Sequence, residues 1–144
     1  MDYVWVFDDS EVDWDELSHL YRIAPLGDKP PESLKVVFPN SMFKCFGYAN
    51  DRLVAVGRAI ADGRDCTYIA DVAVHPDHQG SGLGSAVIEH LLRLAEGHAK
   101  VILYANPGAE PFYERLGFSP MLTAMGIWKD RVNAIERGLL KPSS

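Results

Sequence analysis

One stretch of the chain gathers groups suited to holding an anion: His75-Pro76-Asp77-His78-Gln79-Gly80-Ser81-Gly82-Leu83-Gly84-Ser85. An apolar run ends at Pro76, glycines follow at 80, 82 and 84, and a helical pattern opens at Leu83. A helix start presents about four unpaired N–H groups and roughly half a positive charge. With no side chains at 80, 82 and 84, an anionic oxygen can reach those donors, as at a phosphate site. A Walker A loop would end in Gly-Lys-Ser/Thr, and no lysine occurs between Arg64 and Lys100. A dinucleotide fingerprint needs Gly-x-Gly-x-x-Gly and an acid about 20 residues on. Here the spacing is Gly-x-Gly-x-Gly, and the later position reads Lys100-Val101-Ile102. The glycines alone are also compatible with a tight strand-to-helix turn and nothing more.

Two further residues stand out. Asp71 is the single acid inside the apolar run 67–74, three residues before Val74. Its burial would cost several kcal/mol unless the carboxylate is paired or wet, so it reads either as a working group or as a structural partner for a neighbouring loop or Arg58. Tyr113 belongs to a short helical segment in which Pro111 suits the first position, Gly117 the left-handed stop and Phe118 the hydrophobic contact beyond it. Phe112 and Phe118 read as core, whereas a buried Tyr113 hydroxyl needs a partner, a ligand sulfur being one. His75 and His78 read as solvated loop histidines, and His19, His90 and His98 belong to no constellation. Cys45 and Cys66 read as small buried hydrophobes. Two cysteines so spaced make neither a disulfide framework nor a zinc site, so no metal is expected.

The elements that carry these residues can be read in order. Residues 3–7 alternate as a short strand. Asp13 precedes a helical pattern to Arg22, with Trp14, Leu17, Leu20 and Tyr21 on one face. The proline-rich loop 24–31 leads to a short helix ending before Pro39. Strands at 44–49 and 53–61 flank Asn50-Asp51 as a hairpin, and another strand covers 67–74. The helix at 83–96 carries Leu83, Val87, Leu91 and Leu94 on one stripe and stops at Gly97. A strand at 100–104, a helix at 111–116 and a last strand at 123–128 complete the order β-α-α-β-β-β-α-β-α-β. This is an α/β chain with a mixed central sheet and helices on both faces.

A length of 144 residues predicts one domain over 1–144, with 130–144 as a frayed tail that adds a helix ending at Gly138. At 47% hydrophobic and 24% charged the composition is globular. A net charge of −6 argues against duplex nucleic acid and is mildly congenial to a cationic substrate. No apolar run reaches the ~18–20 residues of a membrane span. The first ten residues carry no basic segment leading into an apolar one. A cytoplasmic protein with reduced thiols is expected.

Gln79-Gly80-Ser81-Gly82-Leu83-Gly84 resembles the Gln/Arg-x-x-Gly-x-Gly/Ala pyrophosphate loop of the GNAT N-acetyltransferase superfamily, and Asp71-Val72-Ala73-Val74-His75-Pro76 its fourth strand. The stretch 106–118, from Asn106-Pro107-Gly108-Ala109 through Phe112-Tyr113 to Gly117-Phe118, is similar to that family's Asn-x-x-Ala-x-x-Phe/Leu-Tyr-x-x-x-Gly-Phe signature. The resemblance implies acetyl-CoA as donor and an amine as acceptor, transferred directly in a ternary complex. It implies a pantetheine arm lying between the fourth and fifth strands, paired with backbone near Ala73 and Val74. The pyrophosphate would rest on the loop 80–85, formed by Gly80, Ser81, Gly82, Leu83, Gly84 and Ser85. Gln79 would frame the loop, and Asn106 and Phe112 would contact the coenzyme. Tyr113 is expected to protonate the leaving thiolate, and Asp71 to accept the amine's proton, directly or through water, or to hold the ammonium. Short length leans the acceptor toward a small amine, with residues 26–30, 43–46 and 121–128 lining its side. The alternatives are a protein or peptide acetyltransferase and a non-catalytic acyl-CoA-binding module. A homodimer is compatible with the sequence, but no interface is legible.

Overall fold

In the computed structural model, residues 2–142 are described, and the strands and helices up to residue 102 follow the apolar pattern closely. They are β1 (Val4–Val6), α1 (Trp14–Ile23), α2 (Pro31–Val37), β2 (Phe43–Ala49), β3 (Arg52–Ala61), β4 (Cys66–Val74), α3 (Leu83–Leu94) and β5 (Lys100–Ile102). The strands form one sheet in chain order, antiparallel from β1 to β4 and parallel between β4 and β5. The parallel pair follows from the crossover through α3, which returns the chain in the same direction. Asp13 starts α1 by accepting the amides of Asp15 and Glu16 at 3.0 and 3.1 Å, the geometry of an N-cap. Asn50 and Asp51 both take positive φ in the β2–β3 turn, as a two-residue hairpin with the twist of its strands requires.

Each face of the sheet is covered. On one, Leu17, Leu20 and Tyr21 of α1 and Leu34 of α2 pack with Phe38, Phe46, Val56 and Ala73. On the other, α3 lies so close to β3 that a Cβ on Gly57 would meet Val87 Cγ1 at 2.6 Å and Leu91 Cδ1 at 3.0 Å. Alternation along β2 sends Phe46 to the first face and Cys45 toward Val87 on the second.

Two departures from regular pairing shape β4. Val56 pairs with Ala73 and Arg58 with Ala70, so Asp71 and Val72 together oppose Gly57. This is a β-bulge, and Asp71 adopts φ 56° within it, a left-handed conformation that Asp tolerates better than most residues. The pairing of β4 with β5 covers only Cys66–Tyr68 against Lys100–Ile102. Residues 69–74 therefore have no β5 partner on that edge.

The described chain falls into two compact units that divide between Leu103 and Tyr104. The second holds α4 (Glu110–Arg115) and α5 (Arg131–Glu136). α4 ends with Phe118 N–H on the Tyr113 carbonyl and Gly117 N–H on the Glu114 carbonyl, both 3.1 Å, with Gly117 at φ 100°. That is the Schellman stop expected from the sequence, although Pro111 occupies the second helical position rather than the first.

The last expected strand is not formed. Residues 123–128 are irregular, and around them Leu122, Met125 and Ile127 are about fully exposed, at 98%, 98% and 101%. A strand exists only where a ladder satisfies its amides, and residues 104–142 contain no other strand to supply one. The helix expected to end at Gly138 is present as α5, with Gly138 at φ 78°, while residues 143 and 144 of the expected tail lie outside the described part. No helix among the described residues is long and apolar enough to cross a membrane.

Candidate active site

The glycine loop joins β4 to α3 through a single 3-10 turn, Pro76–His78. Gly80 and Gly82 take φ 82° and 83°, and a Cβ on either would meet nothing within 4 Å. These glycines are thus required by backbone conformation and border open space, not a crowded contact. Gly82 stands at the N-cap of α3 with no side-chain cap, and the first turn holds no acid. The amides of Leu83, Gly84 and Ser85 therefore have no side-chain acceptor, and no carboxylate of the first turn offsets the local dipole. The Ser81 hydroxyl turns back to the His78 carbonyl. An anionic, multi-oxygen group fits this corner on chemical grounds.

The two loop histidines are half-buried rather than solvated, and each has its Nδ1 engaged. His75 Nδ1 accepts the Asp77 amide at 3.1 Å, and His78 Nδ1 lies 3.0 Å from the Tyr3 hydroxyl. Both hold the turn.

A second cluster sits at the bulge. Arg58 Nε donates to Asp71 Oδ2 at 2.8 Å, and Lys29 Nζ lies 3.2 Å from Asp71 Oδ1. The Tyr21 hydroxyl donates to the Asp71 main-chain carbonyl at 2.7 Å. Arg58 Nη1 also donates to Ser41 Oγ at 3.2 Å, and Lys29 Nζ stands 5.5 Å from the Tyr21 ring centre. Side-chain exposure is 21% for Asp71, 13% for Arg58 and 27% for Lys29, so the group is largely removed from water. Burial, and then the Asp71 charge, push the Tyr21 phenol well above its ordinary range, which keeps it a donor. Pairing with Arg58, the structural option for Asp71, is present in this structure.

Gln79 links the two clusters. Its Nε2 donates to the Ala24 carbonyl and the Val74 carbonyl, each at 3.1 Å. His75 N–H is bonded to the Val54 carbonyl at 2.8 Å, so alternation turns Ala73 toward β3 and Val74 toward the open edge. Gln79 takes the Val74 carbonyl there, and the Val74 N–H points to the same open edge. The connection between α1 and α2 is thereby tied to β4 at two places, through Ala24 and through Lys29.

In the unit of residues 104–142, Asn106 is exposed and its carbonyl accepts the Ala109 amide at 2.9 Å. Phe112 and Tyr113 are half-buried on α4. The Tyr113 ring meets Phe112 and Phe118 edge-on at 4.9 and 5.8 Å. Nothing within that unit hydrogen-bonds its hydroxyl, and burial raises its pKa above the ordinary 10.0. A phenol that keeps its proton can act as an acid.

Within the segments expected to line the acceptor side, Phe43 packs edge-on against His98 and Trp128 against Tyr104. Burial pushes the Cys45 thiol up to about 12, so it offers no thiolate. Cys66 is only half-buried, at the start of β4. No group of three or more His, Cys, Asp or Glu that could hold a metal occurs among the described residues.

Residues 11–118 match the Acetyltransferase (GNAT) family. The chain belongs to the GNAT acetyltransferase family. An uncharacterized N-acetyltransferase ycf52-like protein of Prochlorococcus marinus is 32% identical over 124 residues, covering 81% of this chain and 69% of its own length. An uncharacterized N-acetyltransferase ycf52 of Porphyra purpurea is 42% identical over 113 residues, covering 69% of this chain and 64% of its own. The chain thus spans about two thirds of the length of these curated relatives. The crystal structure of a probable acetyltransferase of unknown function from meticillin-resistant Staphylococcus aureus has a TM-score of 0.79 and 28% identity, covering 88% of this chain and 99% of that one. Both GNAT motifs read from the sequence fall within the matched residues.

Lys29 was not singled out by the sequence. Its only signal is a cation in a rigid connection, just before Pro30-Pro31. The reach of Gln79 to Ala24 spans 55 residues and has no local signature.

Proposed function

We propose that this chain moves an acetyl group from acetyl-CoA to the primary amine of a small molecule, by direct attack with both substrates bound. The observation that carries the reading is on one strand: β4 offers an open edge over 69–74 and runs directly into a glycine loop whose helix-start amides no side chain caps. An extended thioester ending in phosphates matches that path. Its arm adds to the edge as a strand would, and its pyrophosphate rests on the amides of Gly80, Ser81, Gly82, Leu83, Gly84 and Ser85. Asn106, Phe112 and Tyr113 are assigned to the coenzyme by their places in the second family motif.

Acetyl-CoA supplies an activated acyl carbon; transfer joins it to the amine nitrogen, breaks the carbon–sulfur bond, takes a proton from nitrogen and gives one to sulfur. The Val74 N–H, on the open β4 edge, is the donor for charge developing on the acyl oxygen. Tyr113 supplies the proton to sulfur. For Asp71 the support divides: both oxygens carry a cation, so accepting a proton would break one of those ion pairs. We assign it to holding Lys29 and Arg58, with the amine's proton passing to water.

A small acceptor is favoured over a protein because the α1–α2 connection is tied down through Gln79 and Lys29, and opening it for an extended peptide would break those contacts. Release of coenzyme thiol from acetyl-CoA across a panel of chemically diverse amines tests the reading. Tight acetyl-CoA binding with no thiol release from any of them would instead mark a binding module.

A further inference from the structure

Charge is distributed unevenly in this chain. Residues 1–16 hold seven acids and no lysine or arginine, so the remaining residues, with thirteen acids against fourteen bases, are close to neutral. The overall −6 therefore says little about the bulge. There, two cations bracket one carboxylate: Lys29 and Arg58 both pair with Asp71, and no other carboxylate among the described residues is ion-paired to either. The cluster carries one uncompensated positive charge on side chains only 13% to 27% exposed. Taking charge out of water is costly unless an opposite charge meets it. Lys29 is also braced, its carbonyl accepting the Ser18 hydroxyl at 2.6 Å and its ammonium lying over the Tyr21 ring. Such a side chain is already ordered before any ligand arrives, which lowers the entropy cost of binding.

We propose that Lys29 and Arg58 form an oxyanion subsite for the acceptor, so that the preferred substrate is an amine that also bears a carboxylate or a phosphate. This rests on the acetyl-transfer reading above and narrows it. The excess positive charge has a second consequence, since like charge disfavours an ammonium nearby: it holds the acceptor's acidic group while favouring the neutral, attacking form of its amine.

The test uses the full chain saturated with coenzyme A and two matched pairs, tyramine with tyrosine and ethanolamine with O-phosphoethanolamine. Binding is measured by calorimetry, and thiol release from acetyl-CoA is followed separately. The wild-type protein should bind the anionic member of at least one pair roughly 10- to 100-fold more tightly, the scale of a charge-assisted hydrogen bond. The pair that shows it identifies carboxylate or phosphate. In Lys29→Met the ratio within that pair should fall toward one, and in Lys29→Arg it should recover. Equal or weaker binding of both anionic members by wild-type protein overturns the subsite, as does an equal loss for both members in Lys29→Met or no binding of any of the four. The wild-type comparison stands even where a variant fails to fold. Preferential binding without thiol release would keep the subsite and remove the transferase reading, so the two failures are distinct.

Discussion

The two halves of the site on unit 2–103 are built from different materials. The glycine loop is main chain: left-handed glycines, a helix start and amides that no side chain caps. The bulge is side chain: Asp71 in a left-handed conformation, with Lys29, Arg58 and Tyr21 brought from three other places to hold it. A backbone site needs contiguous residues of permissive type, so it leaves a signature in a few neighbouring letters. A side-chain site draws on positions 21, 29, 58 and 71, which only the fold brings together. Substrate parts common to a whole family suit the first kind of site, and the variable part suits the second.

That contrast can be attacked from several directions. Tyr113→Phe removes chemistry without touching either half: kcat should fall by roughly 10²–10⁴ with coenzyme affinity kept. Burial raises the phenol above 10.0, so it stays protonated through neutral pH. Any alkaline loss due to Tyr113 should begin above that value and vanish in the Phe variant. Unchanged kcat with chemistry rate-limiting would remove Tyr113 from the mechanism. Gly82→Val should weaken acetyl-CoA binding about 10- to 100-fold, because φ 83° strains any branched side chain and the amides beside it lose their open approach. Normal coenzyme affinity in that variant would show that the loop only turns the chain.

Asp71→Asn strands two cations. A loss of about 1.5–3 kcal/mol is expected, read as a melting point lower by several degrees. Turnover should fall without recovery at high pH, whereas recovery would return the base role to Asp71. The smallest effect belongs to Gln79→Ala, which cuts one tie between the halves. KM should rise a few-fold, by about 1 kcal/mol for lost hydrogen bonds, for both coenzyme and amine. A change in only one of them would show that the halves are independent.

The same distinction explains what could be read before folding. Asp13, Asn50-Asp51, Gly117 and the Leu83–Leu94 stripe act through neighbours within a few residues, and each element they mark is present. The glycine loop was legible for that reason too. Residues 123–128 have strand-like composition, yet strand formation depends on a partner edge elsewhere, which composition cannot supply. Arg58 was readable as a partner for Asp71 because both lie on strands expected to be near each other. Lys29 was not, because nothing local says that the α1–α2 connection folds down on the bulge.

Gly57 carries a further lesson. The helix that begins at the glycine loop rests on the sheet at a place where even one methyl would not fit, 2.6 Å from Val87. Any thickening beneath α3 would tilt the helix like a lever and carry its first turn away from the β4 edge. Mutational tolerance in this interior should thus be lowest where the sequence has no side chain at all, and a purely internal substitution there could disarm the protein while every polar group in the site stayed intact.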